Sequence, residues 1–532
     1  MLKKVAPILA AIVAVGLSPC APHAPRVPRV HRHPVRIHSR LAPEEGPRPL
    51  PEGDIAAAGG TPFEGLWLLK DMPESLRALA RPEHLKAAVE RSIPEFASGA
   101  MTLEHVRPTR GRLEDGVFGG MFELTVNGPG GVRRVVSLSG VADPGRPVRV
   151  DGISPDVSFG EDGWRCPVPE LRLVLETLPA DTALPALAVL TDPSRARALL
   201  EGAIRAGSPA YGDIRIQACR LVKVARYKFG NCCTILYRLE YGSEAAGRGW
   251  PEAVVAKTHS GDKGRVSYEV MRALWESELR WSTAVTIAEP LAFIPELRVL
   301  IQAAVAHEST LKDLLKSVLG KGTAKAVEEF RDRFAKTARG LAALHACTAH
   351  GRIVSFEQEM AEIRGRIVGL TSWIPGFDGA LEPTLARLDA LAASQPPQRP
   401  VPSHGSFRPA QVLLHGGHIA FIDFDGFCEA EPAMDLALFR ASLKKSVMRL
   451  GWSAGRPEPS LDILPELDGL CELFLDEYER MAPVSRERVA LWETLYLLES
   501  VLNSWTKLEP DRLESGMALV ERHVRQSRLS FA

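Results

Sequence analysis

Apolar residues first settle into a regular pattern after about residue 63. Helical spacing over 82–93 gives way to strand-like alternation at 119–126 and 133–138, parted by Asn127-Gly128. The same order returns from Arg195: a helix to Ile204, then strands at 216–224, 233–241 and 253–257. A diverged internal repeat is one reading of this recurrence, with Leu138 standing where the second copy has Lys257. Between the two, residues 143–162 are rich in Pro, Gly and Asp and read as linker or surface loop. Further on, 297–305 reads as a buried strand running into a helix at 311–319. Phe330, Phe334, Thr337, Leu341 and Leu344 share one face of a long amphipathic helix over 324–346, whose end carries His345 as a structural residue. More helical segments follow over 356–395. Two short apolar runs, 412–414 and 419–422, flank His415-Gly416-Gly417-His418 as a β-hairpin. Amphipathic helices over 436–448, 464–481 and 486–507 complete the pattern, so the chain reads as α+β.

Composition narrows this picture only slightly. At 532 residues the chain exceeds one domain, and 45% hydrophobic with 24% charged residues supports a sizeable core. Lysine plus arginine balance aspartate plus glutamate at 65 each, which gives no global field for nucleic acid or an anionic membrane surface. Eight cysteines are scattered without CxxC or Cys/His spacing, and they read as reduced, buried thiols.

Chemistry concentrates in two places. One is Ser403-His404-Gly405-Ser406-Phe407-Arg408-Pro409-Ala410-Gln411, followed across the hairpin by Ile422-Asp423-Phe424-Asp425-Gly426 and then Glu431-Pro432-Ala433-Met434-Asp435. A hydroxyl, a guanidinium and an amide thus face two carboxylates at a strand end, a layout that suits a metal-phosphate site. The other is Val254-Val255-Ala256-Lys257, a lysine ending an apolar strand ahead of a helix that carries Glu269 and Glu276. Before it, Tyr227-Lys228-Phe229-Gly230-Asn231 joins two strands. Its amides could cover phosphates, or it is an ordinary hairpin turn.

These stretches resemble the aminoglycoside phosphotransferase and choline kinase-like family, whose pattern is His-Gly-Asp, four residues, Asn, a hairpin, Ile-Asp, then Asp-Pro-x-x-Asp-Leu. The match keeps register from His404 to Asp435, with Ser406 where the catalytic Asp belongs, Gln411 where the Asn belongs and Glu431 where the later Asp belongs. The resemblance covers about 214–510. It implies a bilobal protein kinase-like fold, with a β-rich N-lobe and a helical C-lobe, preceded by an α+β N-terminal region. It further implies ATP and Mg²⁺ as cofactors and a small-molecule hydroxyl as acceptor. Lys257 with Glu269, Gly230 and Gln302 near the hinge are the implied nucleotide-binding residues. Asp423 and Gln411 are the implied metal ligands, and Ser406, Arg408 and Asp425 occupy the catalytic positions. Asp425 reads either as a substitute base or as a loop-capping carboxylate. Glu431 and Asp435 read as brackets for the loop backbone. A serine hydroxyl cannot serve as the general base, worth ~100- to 10,000-fold, so the alternative is an inactive pseudokinase acting as a nucleotide- or partner-binding module. The resemblance implies that much of the acceptor site falls within 356–395, a stretch broken by Trp373-Ile374-Pro375-Gly376, where nothing names the acceptor.

The implied layout is a signal-like or basic Pro-rich segment at 1–60, the α+β region at 61–195, the N-lobe at 196–308 and the C-lobe at 309–532. Lys3-Lys4, the apolar run 5–17 and Ser18-Pro19-Cys20 have the shape of a bacterial secretory signal too short to span a membrane comfortably; a mis-assigned start explains them equally well. An ATP-using domain makes the cytoplasm the expected location, with export as the alternative.

Overall fold

The computed structural model describes residues 73–524 except 110, 115, 147, 149–156, 178–180, 246, 322, 372–375, 453–463, 509–515, 517, 518 and 521. The signal-like segment, part of the 143–162 loop and the Trp373-Ile374-Pro375 turn therefore lie outside the described residues.

The first layer begins with helix α1 (Pro82–Ser92) and continues into strands β1 (Thr102–Pro108), β2 (Arg112–Glu114), β3 (Val117–Asn127), β4 (Arg133–Ala142), β5 (Arg165–Val168) and β6 (Leu173–Thr177). Proline at the first helical position and Leu85, Ala88 and Val89 on one buried face account for α1. The sheet is ordered β1-β3-β4-β6-β5, with β2 extending the β1 edge of β3, and every pair is antiparallel.

The second layer repeats this plan. Helix α2 (Pro193–Gly207), capped by the Asp192 carboxylate on the amides of Ser194 and Arg195, precedes β7 (Ile216–Lys228), β8 (Cys232–Tyr241) and β9 (Ala253–His259). Helix α3 (Lys263–Glu276) and the short strand β10 (Thr286–Ile287) then lead to β11 (Pro290–Ile294) and β12 (Val299–Ala303). The order is β7-β8-β9-β12-β11, again antiparallel throughout.

The likeness extends to register. Arg112, Gly119, Val141, Val174 and Pro167 form one row across the first sheet; Arg226, Thr234, Lys257, Leu300 and Phe293 form the matching row across the second. Each sheet closes its last hairpin on the same tetrapeptide, Pro169-Glu170-Leu171-Arg172 and Pro295-Glu296-Leu297-Arg298. Each is a 3₁₀ turn ending on a left-handed arginine, at φ 48° and 52°. The two sheets therefore share strand order and register, and that register corrects the sequence alignment: Val141, not Leu138, occupies the place of Lys257. Leu138 lies on the buried face of β4, whereas Val141 is exposed. Aligning one Val-Val run on another shifted the register by three residues, an odd slip that exchanges the two faces of the strand.

The third part is helical. It holds β13 (Ser309–Thr310), α4 (Leu311–Lys321), α5 (Ala324–Leu344), α6 (Phe356–Thr371), α7 (Phe377–Ser394), α8 (Pro432–Trp452), α9 (Leu464–Glu479) and α10 (Arg486–Thr506). Strands β14 (Val401–Ser403), β15 (Val412–His415), β16 (His418–Phe421) and β17 (Cys428–Ala430) carry the motif loops among these helices. The hairpin β15–β16 turns on Gly416 and Gly417, both at positive φ, and β10 joins β16 in parallel. Phe330, Phe334, Leu341 and Leu344 of α5 are buried as the spacing predicts, and α5, α8 and α9 meet where Phe334 tilts against the stacked pair Phe439 and Phe474. The first sheet reaches the helical part where β2 meets α10. A β-rich N-lobe over a helical C-lobe, preceded by an α+β region, is the bilobal kinase-like fold. Among the described residues no helix is long and apolar enough to cross a membrane. The seven described cysteines are all buried.

Candidate functional site

Strand alternation aims Lys257. Val254 and Ala256 enter the core beneath α2 with Leu200, Ile204 and Ile235, so Val255 and Lys257 point to the other face of the sheet, over the C-lobe. There Nζ of Lys257 meets Asp423 Oδ1 at 2.8 Å and Asp425 Oδ1 at 3.1 Å. Burial opposes the lysine charge, and the two carboxylates outweigh it and hold the pKa above its ordinary value. Lys257 conversely keeps Asp423 below the ordinary carboxylate range.

The loops that bring these groups together are braced by backbone contacts. Asp435, fully buried in the first turn of α8, accepts hydrogen bonds from the amides of His404 and Gly405, the latter at 2.9 Å, as the bracket reading expects. Glu431 does something else: its carboxylate takes the buried guanidinium of Arg488 and the indole N–H of Trp492, tying the loop after β17 to α10. His345 is structural, sharing a 2.7 Å hydrogen bond with the Tyr478 hydroxyl and lying 3.5 Å from Asp435. Gly405 sits at φ 70°, and a Cβ there would lie 1.8 Å from the carbonyl oxygen of Gly426. The His404 loop and the Asp423 loop can approach this closely only because Gly405 lacks a side chain. Asp423 itself adopts the left-handed conformation, φ 69° and ψ 50°, turning its carboxylate back toward Lys257.

The His404 ring is buried and stacked on Phe424, with Nε2 2.9 Å from the carbonyl oxygen of Ile422. That contact makes Nε2 the protonated nitrogen and leaves the Nδ1 lone pair 3.3 Å from Ser406 Oγ. Burial lowers the His404 pKa. The Gln411 amide donates to Ser406 Oγ at 3.1 Å and reaches Asp423 Oδ2 at 3.5 Å, so it spans hydroxyl and carboxylate. Of these groups, Gln411 and Asp423 line a cavity of about 650 Å³ together with Lys257, Gln302, Arg226 and Arg408.

Several expected placements change. Glu269 does not meet Lys257: it is on the exposed side of α3, paired with Arg265 at 2.7 Å, and Glu276 likewise pairs with Arg272. The helix instead presents Ser267, whose hydroxyl lies 3.3 Å from Asp425. Asp425 does turn inward, but toward the N-lobe. His259 Nε2 at 3.4 Å and Lys263 at 3.7 Å join Lys257 around it; burial raises its pKa, and the two lysines with the His259 hydrogen bond outweigh that and hold it well below the carboxylate range. In this arrangement both of its oxygens are engaged by N-lobe side chains. Gly230 has its amide occupied, donating to Asp181 Oδ2 at 2.9 Å beside the Tyr227 hydroxyl, and it does not line the cavity. His259, Arg226 and Asp181 were missed in the sequence. Alternation from Lys257 would have found His259, two residues on along the same face of β9. Arg226, 3.9 Å from Asp423 Oδ2, follows from β7 pairing, and Asp181 has no sequence signal.

Comparison with known proteins follows this geometry. Residues 267–483 match the phosphotransferase enzyme family. No curated protein sequence matches the chain. Among solved structures, a glucosamine kinase aligns at 15% identity over 83% of this chain and 99% of its own, with a TM-score of 0.40. A choline/ethanolamine kinase family protein from Mesorhizobium loti aligns at 13% identity over 63% and 99%, TM-score 0.41. An aminoglycoside phosphotransferase in a ternary complex with AMP-PNP and hygromycin B aligns at 15% over 60% and 96%, TM-score 0.41.

Proposed function

We propose that this chain, whose residues 267–483 match the phosphotransferase enzyme family, binds ATP between its lobes and transfers a phosphoryl group to a hydroxyl of a small molecule. The observation that carries the reading is the Lys257–Asp423 pair, a strand lysine of one lobe and a loop carboxylate of the other meeting at 2.8 Å beside the 650 Å³ cavity. Phosphoryl transfer asks chiefly for positioning and charge neutralisation. Lys257 and Arg408 supply fixed cations for the phosphates, and Gln302 lines the cavity next to the hinge residues Ala304 and Val305.

The donor set also fits Mg²⁺. Gln411 Oε1 is buried without a hydrogen-bond partner on the amide that reaches Asp423, so these two residues would hold the ion. Bound there, Mg²⁺ would neutralise phosphate charge. Asp423 and Gln411 otherwise orient each other and Ser406.

A second reading, a nucleotide-binding module without turnover, is favoured by one feature. The hydroxyl of Ser406 stands at the base position, and the carboxylate of Asp425 is engaged by Lys257, His259 and Lys263 of the N-lobe. Thermal unfolding with ATP and Mg²⁺ tests the shared part: saturation at 100 times the dissociation constant adds ~2.7 kcal/mol, and Asp423→Asn weakens it. No stabilisation of a folded sample by millimolar nucleotide refutes both readings. ATP consumption over a panel of small alcohols then separates transfer from binding.

A further inference from the structure

The serine in the base position has a base of its own. His404 Nε2 is committed to the Ile422 carbonyl, so Nδ1 is the acceptor nitrogen and the 3.3 Å contact runs from the Ser406 hydroxyl to it. The imidazole is held by the Phe424 stack and by complete burial, and cannot swing away. A hydroxyl donating to a neutral, tautomer-fixed imidazole is the arrangement of an activated nucleophile. Gln411 donates to the same oxygen and joins it to Asp423, the carboxylate faced by Lys257 and Arg226. The nucleophile is thus one amide removed from the fixed cations of the cleft.

We propose that Ser406 is itself a phosphoryl acceptor: its Oγ attacks the terminal phosphorus of a bound nucleoside triphosphate, with His404 Nδ1 taking the proton. The Oγ–P bond forms as the bond between that phosphorus and the β,γ-bridging oxygen breaks. The nucleoside diphosphate departs with that oxygen's electron pair, and no further reactant is needed. His404 becomes an imidazolium, a form that burial opposes and the negative charge of Asp435 partly offsets, so the proton is held only transiently. The proposal rests on the nucleotide-binding reading above. It goes beyond that reading in making the residue that replaces the family's aspartate a covalent site.

The full chain incubated with ATP and Mg²⁺, then analysed by intact mass and peptide mapping, tests this. One phosphoryl group on the peptide holding Ser406, absent from Ser406→Ala, is expected. His404→Gln, checked for a cooperative urea transition, should label at least ~100-fold more slowly, the lower end of what a positioned base supplies. An unlabelled protein that ADP nevertheless stabilises overturns the phosphoserine and leaves the nucleotide reading standing. Label on another residue, or label that survives Ser406→Ala, overturns it as well. A protein that nucleotide neither labels nor stabilises overturns both.

Discussion

Lys257→Met isolates the charge cluster that holds the two lobes together. The Lys257 side chain is 10% exposed, Asp425 14% and Asp423 25%, so the contact is nearly desolvated at Asp425 and partly wet at Asp423. Breaking a buried ion pair by removing one partner costs ~3–5 kcal/mol, because the remaining charge is left buried. Here Arg226 still faces Asp423, and His259 and Lys263 still face Asp425, which brings the expected loss down to about 2–4 kcal/mol. Urea unfolding at neutral pH reads this as a lower midpoint at an unchanged slope. Asp425→Asn placed on top removes the stranded charge and should restore at least ~1 kcal/mol, a coupling that a double-mutant cycle reports. Acid gives a second reading. Carboxylates held below their ordinary pKa of 3.8 contribute stability above that value and lose it as pH falls through the folded pKa. Without Lys257 much of that contribution is already gone, so the gap between wild type and variant should narrow below about pH 4. A loss under ~1 kcal/mol at neutral pH, or a double variant no more stable than Lys257→Met, would refute the buried-pair account.

Gly405→Ala should destabilise by about 2–5 kcal/mol, combining the strain of a left-handed alanine with a Cβ driven into the Gly426 carbonyl. A wild-type urea midpoint would show that the two loops do not approach as described. His404 and His523 are both buried and held below the ordinary histidine value of 6.5, so each disfavours the protonated folded state. The unfolded chain then binds more protons as pH drops below about 6.5, and stability should fall from pH 7.5 to 5.5. An unchanged urea midpoint across that interval would contradict the burial of both rings as neutral groups.

Local pattern was enough to reveal much of this protein. The α5 face, the β15–β16 hairpin with its glycine turn, and Lys257 at the end of an apolar strand were legible because helix and strand periods and glycine's freedom at positive φ act within a few residues. The motif spacing from His404 to Asp435 likewise set which residues share the site, since the hairpin between them has only one compact way to close. Partner choice was beyond reach of such reasoning. Glu269 and Asp425 are both acidic and both near Lys257 in the expected fold, and only the rotation of α3 decides that Ser267 faces inward while Glu269 faces solvent. Glu431 could not be assigned to Arg488, 57 positions away, because that contact exists only once α10 packs across the loop. The repeat shows the same division: its alternation is visible in the sequence, but whether Leu138 or Val141 stands in for Lys257 depends on hydrogen-bond register between strands. Three residues separate the two positions, so the slip exchanges the faces of the strand; alternation alone shows Leu138 to be on the wrong face for Lys257, but only pairing with β3 and β6 selects Val141.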